Sequence, residues 1–108
     1  MTETHCNVSL FCIIMNYMNK YIVIKISGRV QGVWFRQSAK DFSDSIELVG
    51  YAKNNKDETV TIEACGSEEQ LNQLVSWCDN GSKMAQVDNV DIVWSETCDT
   101  KFVDFKIL

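Results

Sequence analysis

The chain has 108 residues and a formal charge of −5, from 10 Lys and Arg against 15 Asp and Glu. That length fits one domain able to fold without metal or disulfide staples, and 45% hydrophobic with 23% charged residues excludes disorder. The acidic balance argues against a nucleic-acid partner, whose phosphates are held by Lys and Arg, and no apolar run reaches the ~18 residues of a membrane span.

In chain order, residues 1–19 read as a poorly specified N-terminal arm before a domain over 20–108. Val8 to Met15 is apolar, but no Lys or Arg precedes it and no small-residue cleavage pattern follows, so a secretory signal is not expected. The regular pattern starts at Tyr21, where Ile22, Ile24 and Ile26 form one face of a strand half covered by helices. Gly28 to Trp34 reads as a loop. Phe35, Ala39, Phe42 and Ile46 then fall at helical spacing.

Glu47 to Lys53 reads as a second strand with Leu48, Gly50 and Ala52 on one face, followed by a hairpin turn from Asn54 to Glu58. In the third strand, Thr59 to Cys65, Val60, Ile62 and Ala64 alternate with Thr59, Thr61 and Glu63. The second helix has the clearest boundaries. Ser67 and Gln70 form a capping box, Leu71, Leu74, Val75 and Cys78 supply the apolar stripe, and Gly81 supplies the stop. Strands follow at about 86–95, with Val90, Ile92 and Trp94 alternating, and at about 101–108, with Val103, Phe105 and Ile107 alternating.

The order β-α-β-β-α-β plus an extra C-terminal strand predicts an α+β ferredoxin-like sandwich, two helices packed on one mostly antiparallel sheet. In the split β-α-β unit the first two strands run parallel with the third between them. Their carboxyl ends therefore share one edge, roughly 10 Å apart at two strand spacings. The Gly28–Trp34 loop leaves one of these ends and Asn54 the other, so whatever the loop binds, Asn54 can face.

The 5 cysteines are widely spaced and His5 is the single histidine, so neither a zinc site nor a catalytic Cys–His pair is expected. Free thiols in a reducing cytosol are the default, with Cys65 and Cys78 behaving as small apolar residues. Trp34, Trp77, Trp94 and Tyr51 are expected to pack, Trp94 on the inner face of its strand, and Lys25 and Arg29 to be solvated.

Charge is segregated along the chain. Between Thr4 and Lys40 stand five bases and no acid, whereas from Asp41 onward fourteen acids face five bases. A small positive focus on a negative protein suits a small anion. The focus contains Gly28-Arg29-Val30-Gln31-Gly32-Val33-Trp34-Phe35-Arg36, joining a strand to a helix start. Glycines there let consecutive N–H groups converge on one anion, and the helix start adds partial positive charge. Arg36 in the first helical turn is unfavourable unless something negative offsets it, and a bound phosphate would do so.

This stretch resembles the first signature of the acylphosphatase family, and Gly50-Tyr51-Ala52-Lys53-Asn54 with Asp57 resembles its second. The resemblance extends over about residues 20–108. It implies metal-free and cofactor-free hydrolysis of the carboxyl–phosphate bond of acyl phosphates. By position, it implies that Arg36 binds phosphate, that Asn54 positions water, and that the N–H cradle comprises Val30, Gln31, Gly32, Val33 and Trp34. Asn55 replaces Asn54 if the turn is shifted by one residue.

Two positions depart from the family pattern: Trp34 brings bulk to the mouth of the site, and Glu58 stands where glycine is common. An altered turn would leave a non-catalytic binding or regulatory module as the alternative. The other expected properties are a small-molecule substrate, inorganic phosphate as product, a monomer in the cytoplasm, and no nucleic acid or membrane partner.

Overall fold

Alternation of Ile22, Ile24 and Ile26 sets the first strand, β1 (Lys20–Arg29), and all three side chains are buried. The computed structural model describes residues 20–98 and 102–108. The expected N-terminal arm, 1–19, lies outside the described residues. After β1 come α1 (Phe35–Ser45), β2 (Val49–Asn54), β3 (Val60–Gly66), α2 (Glu68–Asn80), β4 (Gln86–Ser95) and β5 (Phe105–Ile107).

The strands form one sheet in the order β4-β1-β3-β2-β5, antiparallel throughout except for β2 beside β5. With β3 antiparallel to both neighbours, β1 and β2 run the same way, as the split β-α-β unit requires. Register aligns Ile24, Ile62 and Ala52 across the sheet, so the alternating apolar residues share the face on which the helices pack. Phe35 and Ala39 of α1 and Leu71, Leu74 and Cys78 of α2 complete the core. Each large side chain so buried contributes ~1.5–3 kcal/mol relative to exposure. The α2 capping box closes reciprocally: the Gln70 N–H donates to Ser67 Oγ at 3.1 Å, and the Ser67 N–H donates to Gln70 Oε1 at 2.9 Å.

β1 runs two residues further than the expected loop boundary. Gly28 and Arg29 pair with Val87 and Gln86 of β4 across a bulge after Ser27. At φ 123°, Gly28 brings its backbone so near the Gln86 carbonyl that any Cβ would collide with it. The last strand is shorter than the apolar alternation implies. It pairs only with Gly50 to Ala52 of β2, leaving Val103 outside it and exposed.

Three other expectations are corrected. Trp94 lies on the expected face, opposite Ile22, but is 39% exposed beside Lys20, Glu68 and Glu96 instead of packed. Trp77, by contrast, packs, stacked on Phe42 at 5.9 Å and edge-on to Phe35 at 5.2 Å. Lys25 is not merely solvated, because its Nζ pairs with Asp57 at 3.0 Å. Cys65 is not a free thiol: it lies at the end of β3, where the segment after β4 brings Cys98 to a Cα separation of 6.0 Å, and the two are joined as a disulfide. Cys78 is buried as expected, and burial pushes its thiol up to about 12.

On the sheet face away from the helices, Glu63 accepts hydrogen bonds from the hydroxyls of Tyr21 and Tyr51. Burial, then the hydrogen bond and charge of Glu63, push the Tyr21 hydroxyl up to about 12 and raise Tyr51 too.

Candidate active site

Asn54, Val60 and Ile26 occupy one row across β2, β3 and β1, on the helix-packed face. Asn54 ends its strand at the same sheet edge from which β1 passes into the loop before α1. Gly32, at φ 75°, turns that loop, and a Cβ there would meet open space. Conformation alone therefore calls for glycine. Trp34 follows at φ 63° as the residue capping α1, and no side chain caps that helix start. Among the described residues, the N–H groups of Gln31, Gly32, Val33 and Trp34 donate to no protein acceptor. Four free donors beside the positive end of a helix dipole form an anion-binding concavity.

This loop, the start of α1, Asn54 and Ile107 enclose a cavity of about 380 Å³, at the lower end of small-molecule sites. Val30, Gly32, Trp34, Phe35, Arg36 and Gln37 complete its lining. Arg36 is half-buried, and its Nη1 donates to the main-chain oxygen of Leu108 at 3.0 Å. The Leu108 N–H in turn donates to the Ala52 carbonyl at 2.9 Å, so the guanidinium is braced through Leu108, just past β5, against the strand that carries Asn54. No acidic side chain stands in the first turn of α1. A larger cavity, about 920 Å³, lies against Phe42, Trp77 and the outer face of α2; its charged lining is Glu68 and Glu69, which is unsuited to an anion.

Of the residues singled out from sequence, Arg36, Asn54, Val30, Gly32 and Trp34 line the cavity, whereas Gln31 and Val33 do not. Val33 is buried and its carbonyl accepts from Ser82 Oγ at 2.7 Å. The Gln31 side chain reaches across to the β2–β3 turn, donating to the carbonyls of Asn55 and Thr59. Only main-chain atoms of these two residues can face a bound anion. The Asn55 carboxamide turns to the opposite sheet face and donates to Thr59 Oγ1 and Thr61 Oγ1. Asn54 is thus the amide on the cavity side.

Glu58 adopts φ 71°, the conformation a glycine would take, at a cost of roughly 1–2 kcal/mol. Trp34 carries a similar cost and, against expectation, does not pack: it is 74% exposed. Its backbone is held by the loop, which points the ring outward at the rim. Sequence reading missed Leu108 and Ile107, because a main-chain contact leaves no mark on side-chain pattern. Among the described residues, no group of three or more His, Cys, Asp or Glu is placed to hold a metal ion.

The family model for acylphosphatases matches residues 22–107. The chain belongs to the acylphosphatase family. Its activity is hydrolysis of the carboxyl–phosphate bond of small acyl phosphates. An acylphosphatase of Legionella pneumophila (strain Lens) is 46% identical over 63 residues, which are 58% of this chain and 69% of that protein. One from Caldanaerobacter subterraneus subsp. tengcongensis is 37% identical over 90 residues, 83% of this chain and 99% of the relative. The crystal structure of the acylphosphatase from Bacillus subtilis matches with a TM-score of 0.77 at 34% identity, over 84% of this chain and 99% of that one. No helix among the described residues of this acylphosphatase is long and apolar enough to cross a membrane.

Proposed function

We propose that Arg36 and the loop amides from Val30 to Trp34 hold the phosphoryl oxygens of an acyl phosphate, and that the Asn54 carboxamide fixes a water in line with the scissile bond. The water oxygen attacks phosphorus as the bond to the acyl oxygen breaks. The acyl group leaves as a carboxylate, a weak base that needs no general acid, and the water's proton passes to a phosphoryl oxygen. Orientation and charge stabilisation carry such a transfer, and no side chain has to change protonation state. The observation that carries this reading is that Arg36, Asn54 and the loop residues Gly32 and Trp34, whose amides have no protein acceptor among the described residues, line one cavity at one sheet edge.

The reaction as proposed uses no cofactor, and the enzyme acts as a cytoplasmic monomer on free small molecules. A reducing cytosol would open the Cys65–Cys98 bond, which lies at the opposite end of β3 from the cavity.

Benzoyl phosphate hydrolysis and inorganic phosphate inhibition, measured together, test the assignment. Arg36→Ala is expected to weaken phosphate inhibition by roughly 10- to 100-fold, as loss of a charge-assisted hydrogen bond implies, and to abolish turnover. Asn54→Ala is expected to bind phosphate normally and fail to turn over substrate. Phosphate affinity unchanged in the first variant, or turnover retained in the second, contradicts the proposal.

A further inference from the structure

Trp34 is disfavoured by folding in two independent ways. Its φ of 63° lies in the left-handed region, where an L side chain is strained, and its ring is 74% exposed, so it gains little from burial. Glycine at this position would remove both penalties. What the indole does have is location, at the rim of the cavity that Arg36 and Asn54 line.

Ile107 lines the same cavity from β5 and is itself partly exposed. The floor beneath them includes the buried side chains of Val30 and Phe35. Among the described residues, Arg36 is the single charged one in the lining, and in the proposed reaction it is occupied by the phosphoryl group. A second anionic group on the substrate would therefore find no cation, whereas a flat apolar group would find a ring to stack on.

We propose that Trp34, with Ile107, forms the subsite for the acyl group, and that it selects acyl phosphates with an uncharged aromatic acyl group over those with a small one. The proposal rests on the acyl-phosphate reading of the cavity and adds the part of the substrate beyond the phosphorus. The mode of discrimination is binding: stacking holds the acyl group in ground and transition states alike, so the effect belongs in KM more than in kcat.

Steady-state kinetics with benzoyl phosphate and acetyl phosphate test it on the full chain and two variants, Trp34→Gly and Trp34→Phe. Trp34→Gly is expected to raise the ratio of KM for benzoyl phosphate to KM for acetyl phosphate about fivefold or more, the scale one aromatic contact supports, whereas a disturbed loop would weaken both substrates alike. Trp34→Phe, which keeps a ring, restores most of the loss. Thermal denaturation shows Trp34→Gly at least as stable as the parent.

Equal shifts for both substrates, or no shift for benzoyl phosphate, overturn the subsite while leaving the hydrolytic reading standing. A parent protein that hydrolyses neither substrate overturns both.

Discussion

The Gln31 side-chain amide donates to the main-chain oxygen of Asn55 at 2.8 Å, joining the loop before α1 directly to the residue that follows Asn54. The same nitrogen donates to the Thr59 carbonyl at 2.9 Å. Both oxygens also accept from within the turn, Asn55 O from the Glu58 N–H and Thr59 O from the Asn55 N–H, so Gln31 takes up their second lone pairs. One side chain thereby holds the proposed anion loop and the proposed water-positioning amide at a fixed separation.

Gln31→Met keeps the length of the side chain and removes both donors. Turnover of benzoyl phosphate is expected to fall by about tenfold or more, because displacements near 1 Å in a positioned group have effects up to 10²-fold. Inhibition by inorganic phosphate should change little, since the loop presents main-chain N–H groups. Parallel loss of both quantities would mean that the side chain supports the loop alone.

Glu58→Gly tests the strain in the β2–β3 turn. Glycine occupies positive φ without a Cβ penalty, so the variant is expected to be more stable by about 1 kcal/mol with activity unchanged. Urea denaturation measures it, and a destabilised variant would show that the Glu58 side chain compensates for its own backbone.

The hydrogen bond from the Thr59 hydroxyl, followed by Lys25 and the Thr59 N–H, holds the Asp57 carboxyl at about 2, below its ordinary 3.8. A depressed folded-state pKa adds stability that is present above 3.8 and is lost as pH falls through about 2. Asp57→Asn is therefore expected to flatten the fall in stability across that window relative to the parent. Chemical denaturation at pH values on either side measures this; parallel curves for the two proteins would contradict it.

Cys98→Ser opens a loop closed over a sequence separation of 33. Chain entropy sets the cost at roughly 3–4 kcal/mol of stability against the oxidised parent. Turnover is expected to stay within about twofold, because Cys65 pairs with Tyr21 and Val49, at the end of the sheet remote from Asn54. Thermal denaturation with and without reductant checks the first part, and an activity assay the second.

The sequence was informative wherever a side chain records its own environment. Alternating isoleucines marked β1, Ser67 with Gln70 marked the start of α2, and topology then brought the loop and Asn54 to one edge. It was silent on contacts made by main chain or through a distant crossing. The approach of Leu108 to Arg36 and the pairing of Cys65 with Cys98 both depend on where the segment after β4 travels, and local pattern does not encode that path. The outward ring of Trp34 was hidden for a related reason. Its direction follows from a left-handed backbone at one residue, whereas sequence reading assumes that large aromatics seek the interior.

β3 contributes no residue to the cavity, yet its place between β1 and β2 sets the cavity's width. That width is a multiple of the hydrogen-bonded strand spacing, a quantity that side-chain repacking barely alters. Exchanges among the isoleucines and valines beneath can wear down the fold's resilience without retuning the reaction. Diversification of this scaffold is accordingly channelled to the rim, where one bulky ring can be traded for another at no expense to the gauge beneath it.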